Sequence, residues 1–268
     1  MAIIINTNIG ASVAQAALTR NSRDAAAAME QLSSGNKINS AADDAAGLAV
    51  ANRMTAQIRG LGVAIQNAHD ALNMVSTADG AASAISDILQ KMRELALQAA
   101  SGTTDAKDRT YLNAQYETLK SEIRAIAHHT AWNGKSGGSV ERPRYEFITQ
   151  INSDYGAADY SGYQFVVGTK PSQTLDIHFG DFTVHVGGVR MKGVFSTSDY
   201  ANRFGYSRIN NGTNASAAIT AIDTAFDKLS TKRAEFGAAT NRLTYAVDNL
   251  SNVLVNAKAA RSRVLDAG

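Results

Sequence analysis

Five histidines, His69, His128, His129, His178 and His185, are the side chains of this sequence best suited to hold a metal or carry a proton near neutral pH. His178 and His185 flank a Gly180-Asp181 turn and can approach one another. A closed zinc site takes four ligands, and no carboxylate or third histidine at ligand spacing completes a set around this pair. His69 lies one residue off an apolar seam and is a helix-face residue. Asp43 and Asp44 are adjacent carboxylates, but neighbours on a helix point in different directions, which separates them as an acid and base pair. Both suit the positive end of a helix dipole. Cysteine is absent, so disulfides, thiolate metal sites and a cysteine nucleophile are excluded. No His-Glu-x-x-His, Gly-rich phosphate loop, Gly-x-Ser-x-Gly elbow or dinucleotide fingerprint occurs. The expectation is a protein that is not an enzyme, with no catalytic, metal or cofactor-binding residues and no cofactor.

The side chains with regular spacing are apolar. Ile58, Leu61, Ile65, Ala68, Leu72 and Val75 step by three and four, and Ala78, Ala82, Ile85, Leu89 and Met92 resume the rhythm. This places them on one stripe of a helix spanning roughly 43–100, which at ~1.5 Å per residue is about 85 Å long. Near the other end Ile222, Leu229, Phe236, Leu243, Leu250 and Ala257 recur every seventh residue, with Ile219, Phe226, Val247 and Leu254 in the alternate seam, broken at Arg233 and Thr240. Two stripes of equal period at opposite ends predict an antiparallel or bundled closure. The predicted fold is mainly α: a long coiled-coil rod, formed by an α-hairpin and a returning C-terminal helix, with a small antiparallel β domain inserted at its tip. Ile58, Ile65, Leu72, Leu229, Phe236, Leu243 and Leu250 are the predicted seam and assembly residues.

Four regions follow along the chain. Residues 1–42 form an N-terminal assembly segment, whose helix over 11–32 has a narrow stripe of Val13, Ala16, Ala17, Ala25, Ala28, Met29 and Leu32. Such a stripe buries little area per residue and is expected to order against other subunits. The turn formers of 33–40 end it, and Ser40 or Asp43 is the expected cap of the long helix. Residues 43–134 form the first part of the rod, in which Thr104 or Asp105 caps a second helix carrying Leu112, Tyr116, Leu119, Ile123 and Ile126. Trp132, beside Asn133-Gly134, is expected to plug the base of the rod. Over 135–210 the period becomes two: Tyr145 to Ile151, Tyr163 to Val167, Leu175 to Phe179 and Phe182 to Val186, the last two joined by Gly180-Asp181 in a hairpin. Residues 211–268 return to the rod, with Asn214 or Ser216 as the expected cap.

The net charge of +2 comes from 26 basic and 24 acidic residues without a block of either sign, so nothing predicts nucleic-acid binding. The N-terminal MAIIINTNIGAS lacks a basic region and a cleavage site, and no window predicts a membrane span. Those features alone predict a cytoplasmic protein. The two prolines, Pro143 and Pro171, both fall in the middle and leave the flanking helices unbroken.

QLSSGNKINSAADDAAGLAVANRM, residues 31–54, closely resembles bacterial flagellin. The likeness continues through Ile58-Arg59-Gly60-Leu61, Asn67-Ala68-His69-Asp70, Thr77-Ala78-Asp79-Gly80-Ala81 and Met92-Arg93-Glu94-Leu95-Ala96. Trp132-Asn133-Gly134 stands where the family usually has Phe-Asn-Gly. At the other end Arg233-Ala234-Glu235-Phe236-Gly237-Ala238, Asn241-Arg242-Leu243, Asn249-Leu250-Ser251 and Ala260-Arg261-Ser262-Arg263 match. The resemblance implies a structural subunit of the flagellar filament that polymerises with itself for motility. It implies export through the flagellar type III pathway without a cleaved signal, an extracellular location, and an export chaperone and a cap as partners. It also implies that the terminal segments line an inner tube while the β domain faces outward. Family members continue past the Ala-Arg-Ser-Arg stretch with an acidic turn and another amphipathic helix. This sequence resembles a C-terminally short version that stops at Leu265-Asp266-Ala267-Gly268.

The innate immune Toll-like receptor that senses flagellins is a further implied partner, through a helix face bearing Lys91, Arg93, Leu95 and Gln115. Arg93 and Leu95 match the family, whereas Lys91 replaces a frequent Arg and Gln115 a frequent Glu, which weakens charge complementarity. A hook–filament junction protein shares the helical arms in weaker form. A surface adhesin would instead bind glycans or host protein through Tyr145, Tyr155, Tyr160 and Tyr163. An enzyme inserted in the centre would need a metal motif that the sequence lacks.

Overall fold

The computed structural model describes residues 8–130 (His128 by its backbone only), 132, 163–170, 172–179 and 207–267. Four helices and two strands are described: α1 Ile9–Ser34, α2 Ala45–Ala100, α3 Ala106–His129, β1 Tyr163–Val166, β2 Thr174–Ile177 and α4 Gly212–Leu265. The expected mainly α architecture with a small antiparallel sheet is observed. The chain divides into two compact units, Met1–Ala64 with Asn249–Gly268, and Ile65–Asp248. The boundaries fall within α2 and α4, where the apolar rhythm of the sequence shows no break.

In the first unit α1 is capped by Asn8, whose Oδ1 accepts the Ala11 N–H at 3.0 Å. It ends at Gly35, whose left-handed φ of 70° suits glycine and whose N–H donates to the Gln31 carbonyl at 2.9 Å. None of the 26 residues of α1 is buried. The chain then folds tightly over 35–44. Asp43 Oδ2 accepts from the N–H of Asn39 at 3.0 Å, the N–H of Ser40 at 2.8 Å and the Ser40 hydroxyl at 3.1 Å. These hydrogen bonds, the Ser40 N–H foremost, hold the Asp43 carboxyl below its ordinary pKa. Capping of α2 therefore falls to Asp44, whose Oδ1 accepts the Gly47 N–H at 2.9 Å, and not to Ser40 or Asp43. Gly47 gives the cap room: a Cβ would run into Asp44 Oδ2 and lie 2.7 Å from Ile38 Cδ1, so those side chains would have to shift. Asn36 pairs with Asp266 in an isolated antiparallel bridge, with the Lys37 N–H donating to the Leu265 carbonyl at 2.6 Å and the Ala267 N–H to the Gly35 carbonyl at 3.0 Å.

The second unit packs parts of α2 and α4 with α3 and the sheet around one core. Ala68, Ala71, Val75, Ala78, Ala82, Ile85, Leu89 and Met92 of α2 are buried against Tyr116 and Ile123 of α3 and Ile222, Leu229, Phe236 and Leu243 of α4. Alanine side chains leave room for a neighbouring helix to approach closely, and Ile85, Leu89 and Met92 fill the core further along α2. Asp105 caps α3 as expected, accepting the Asp108 N–H at 2.9 Å. Arg109 reaches back from α3 to close the end of α2, donating through Nε to the Ala99 carbonyl at 2.9 Å and through Nη2 to Ser101 O at 3.0 Å. It supplies the positive charge that the last turn of α2 lacks. The cap of α4 also differs from expectation: the helix starts at Gly212, and Asn211 Oδ1 accepts the Asn214 N–H at 2.7 Å.

Strands β1 and β2 are antiparallel, with Tyr163 opposite Ile177 and Phe165 opposite Leu175. Their shared inward face continues into Phe179, which is fully buried. The Phe179 ring meets Tyr163 edge-on at 5.6 Å and Phe236 of α4 at 5.8 Å. Asn67 Nδ2 of α2 donates to the Val166 carbonyl at 3.2 Å. The described strands thus share the helical core. Trp132 is half-buried against the same core. The expected alternating runs at 145–151 and 182–186 and the Gly180-Asp181 turn lie outside the described residues.

Candidate functional site

The residues expected to form the seam lie along α2 and α4. Every seventh residue of the α4 pattern from Ile222 to Leu250 is buried, and Ile219, Phe226, Val247 and Leu254 are half-buried beside them. On α2, Ile58, Ile65 and Leu72 are half-buried, while Leu61, Ala68 and Val75 are buried. The seam therefore has a fully enclosed line and a shoulder.

The two breaks in the α4 pattern have separate explanations. At Arg233 the guanidinium leaves the apolar line and grips Asp79 of α2, Nε donating to Oδ1 at 2.8 Å and Nη2 to Oδ2 at 3.5 Å. The hydrogen bond to Asp79 raises the Arg233 pKa, against the opposing effect of burial. A second cross-pair, Arg93 Nε to Asp223 Oδ1 at 2.7 Å, joins the same two helices. An ion pair at a seam position favours one register, because sliding one helix by a turn would part the two charges. Thr240 satisfies its hydroxyl locally, donating to the Phe236 carbonyl at 2.9 Å. Sequence reasoning noted the break at Arg233 but not its partner; the available signal was Asp79, one residue beyond the buried Ala78 in the opposite stripe.

The helix face assigned to receptor contact divides by burial. Lys91 and Arg93 are exposed, Lys91 pairing with Glu94 at 2.6 Å and Arg93 with Asp223, and Gln115 of α3 is exposed. Leu95 is turned into the core at 7% exposure, and the exposed apolar side chain nearby is Leu97. Of the tyrosines assigned to ligand contact, Tyr163 is half-buried beneath Phe179; Tyr145, Tyr155 and Tyr160 lie outside the described residues.

Among the described residues, α1 exposes five large apolar side chains, Ile9, Val13, Leu18, Met29 and Leu32. Among the described residues no cluster of three or more His, Asp or Glu could hold a metal, and His69, His129 and His178 are exposed. The His185 half of the expected pair and the His128 side chain lie outside the described residues. Among the described helices none is long and apolar enough to cross a membrane.

Residues 5–136 match the family model of the bacterial flagellin N-terminal helical region, and residues 219–267 match that of the C-terminal helical region. Flagellin E of Vibrio cholerae serotype O1 is 32% identical over 340 residues, which take in 100% of this chain and 90% of that protein. Flagellin A of the same species is also 32% identical over 340 residues, with 99% of this chain and 90% of that protein aligned. Among solved structures, Bacillus cereus flagellin is 27% identical with a TM-score of 0.50, covering 69% of this chain and 88% of that one. A putative flagellar hook-associated protein from Vibrio parahaemolyticus superposes with a TM-score of 0.62 at 16% identity, covering 84% of this chain and 100% of that one, and so shares the fold. The two matched family regions contain the two seams joined by Asp79 and Arg233, and with relatives aligned along its whole length this chain belongs to the bacterial flagellins, structural subunits of the flagellar filament.

Proposed function

We propose that this chain polymerises by burying the apolar stripe of α1 against the helical arms of further copies of itself. The observation that carries the proposal is the 26-residue α1, in which no residue is buried and five large apolar side chains face solvent. Most helical stability in proteins comes from packing an apolar face, and a second copy offering the same kind of stripe supplies that packing for α1. Export through the flagellar type III pathway before assembly, with a chaperone covering the stripe and a cap ordering its addition, belongs to the same reading. So does recognition by the Toll-like receptor, supported by the exposure of Lys91, Arg93 and Gln115. The test is electron microscopy of the purified chain after salt-triggered polymerisation, comparing the native sequence with Val13→Asp and Leu18→Asp. Filaments from the native chain and only monomers from both variants are expected. Filaments of equal length from both variants, or none from the native chain, would overturn it.

A further inference from the structure

Lys120 of α3 is a charged side chain at only 4% exposure, outside the seam that pairs the helices. Its ammonium has a defined place for each bonding direction. It donates to Glu117 Oε1 at 2.9 Å, donates to the Ser207 carbonyl at 2.9 Å, and lies 5.5 Å from the centre of the Tyr116 ring. The buried Tyr116 hydroxyl in turn hydrogen-bonds the Ser207 hydroxyl at 2.6 Å. One turn towards the start of α3, Asn113 Oδ1 accepts the N–H of Ile209 at 2.9 Å, and Ile209 itself is fully buried. Asn113, Tyr116 and Lys120 are spaced three and four apart, so they form one polar stripe on α3. All three reach residues 207–209, which lead through Asn210 and Asn211 to Gly212 at the start of α4.

We infer that Asn113, Tyr116 and Lys120 are positioning residues that latch segment 207–209 onto α3 and so set the point at which α4 begins. A charge buried this deeply costs stability unless its partners are held in place. Burial lowers the Lys120 pKa, with Glu117 opposing and Arg208 and Arg124 adding to the depression. The latch offsets that cost with two charge-assisted hydrogen bonds and a cation–π contact, and one of those bonds falls on backbone. Backbone recognition holds the returning segment without depending on the side chains that precede it. α4 must start in register for Asp223 to meet Arg93 and Arg233 to meet Asp79, so a fixed origin serves both ion pairs.

The test is residue-resolved amide hydrogen exchange on the full chain carrying Lys120→Met, which keeps the stem and removes the charge. The Ile209 amide, whose acceptor is Asn113, should exchange about tenfold faster, while amides at Ile85 and Leu89 stay within about twofold. Asn113→Ala, which removes one hydrogen bond and little packing, should raise the Ile209 rate by a comparable factor without altering Ile85 or Leu89. A uniform rise at all three amides in the Lys120→Met chain would assign Lys120 to general stability and sink the latch. Unchanged exchange at Ile209 would sink it as well. If Lys120→Met does not fold, the Asn113→Ala comparison decides on the same criterion.

Discussion

Replacing Arg233 by Leu separates register from stability. The Arg233 and Asp79 side chains are 40% and 42% exposed, so water screens the pair and its net worth is about 0.5–1 kcal/mol. A leucine at this seam position would bury about three-fifths of a side chain whose full burial contributes roughly 1.5–3 kcal/mol, a gain of about 1–2 kcal/mol. Arg233→Leu should therefore unfold in urea at the same midpoint or a slightly higher one, with a net gain of up to about 1.5 kcal/mol. Register should loosen at the same time, because one of the two breaks in the apolar seam is gone and Arg93–Asp223 is left as the α2–α4 ion pair opposing a slide by one turn, about 5.4 Å. The chain has no cysteine, so spin labels on Gln90→Cys and Ser230→Cys, both exposed and both in the second unit, report one α2–α4 distance by pulsed electron paramagnetic resonance. The native chain should give one narrow distance and Arg233→Leu a broadened or double one. A single narrow distance in Arg233→Leu, or a loss of more than about 1 kcal/mol, refutes the claim that this pair acts through register.

Phe236→Ala removes a ring buried between the seam and Phe179 and should cost about 3–5 kcal/mol in urea unfolding; a cost below about 1 kcal/mol would show that the described strands do not share the helical core. Two of the glycines of α2 should respond in opposite directions: Gly80→Ala, which meets nothing within 4 Å, should stabilise by about 0.5–1 kcal/mol, whereas Gly47→Ala should destabilise by displacing the Asp44 cap. Thermal unfolding by circular dichroism compares them, and a gain from Gly47→Ala would contradict the close approach of Asp44 and Ile38. Burial raises the Tyr116 pKa above its ordinary value, with the Ser207 hydrogen bond opposing. The raised folded value means that its stabilising contribution is complete below about pH 10 and is lost as pH rises above that, where the unfolded chain ionises first. Lys120, whose folded value is lowered, runs the other way as pH approaches its ordinary range, so the difference between the native chain and Tyr116→Phe isolates the tyrosine. Urea midpoints from pH 8 to 11 should fall less steeply for Tyr116→Phe, and parallel curves would rule the assignment out.

Periodicity made the helices legible. Steps of three and four in α2 and of seven in α4 are local consequences of about 3.6 residues per turn, and each predicted seam residue from Ile58 to Met92 is buried or half-buried. The Asp105 cap was legible for the same reason, since a cap acts within its own turn. Cap choices failed where two side chains competed: Asp43 was drawn into the 39–40 turn and left α2 to Asp44, and Asn211 preceded the expected Asn214. Leu95 was assigned to a surface by resemblance, but the helical phase that buries Met92 and Ala96 carries Leu95 inward with them.

By itself, then, the sequence determined four helices' worth of local pattern, the equal period of the two seams, the absence of cysteine chemistry and the family motifs. The pairing of particular side chains was decided only by tertiary structure. Arg233 and Asp79 lie 154 residues apart, and Lys120 lies 87 from the Ser207 carbonyl. Nothing local selects those partners, because a helical stripe specifies which face is buried but not the height at which its neighbour crosses it. Register, and with it each ion pair and the burial of Lys120, is set when the helices close on one core and displacement by a turn would leave charges without partners.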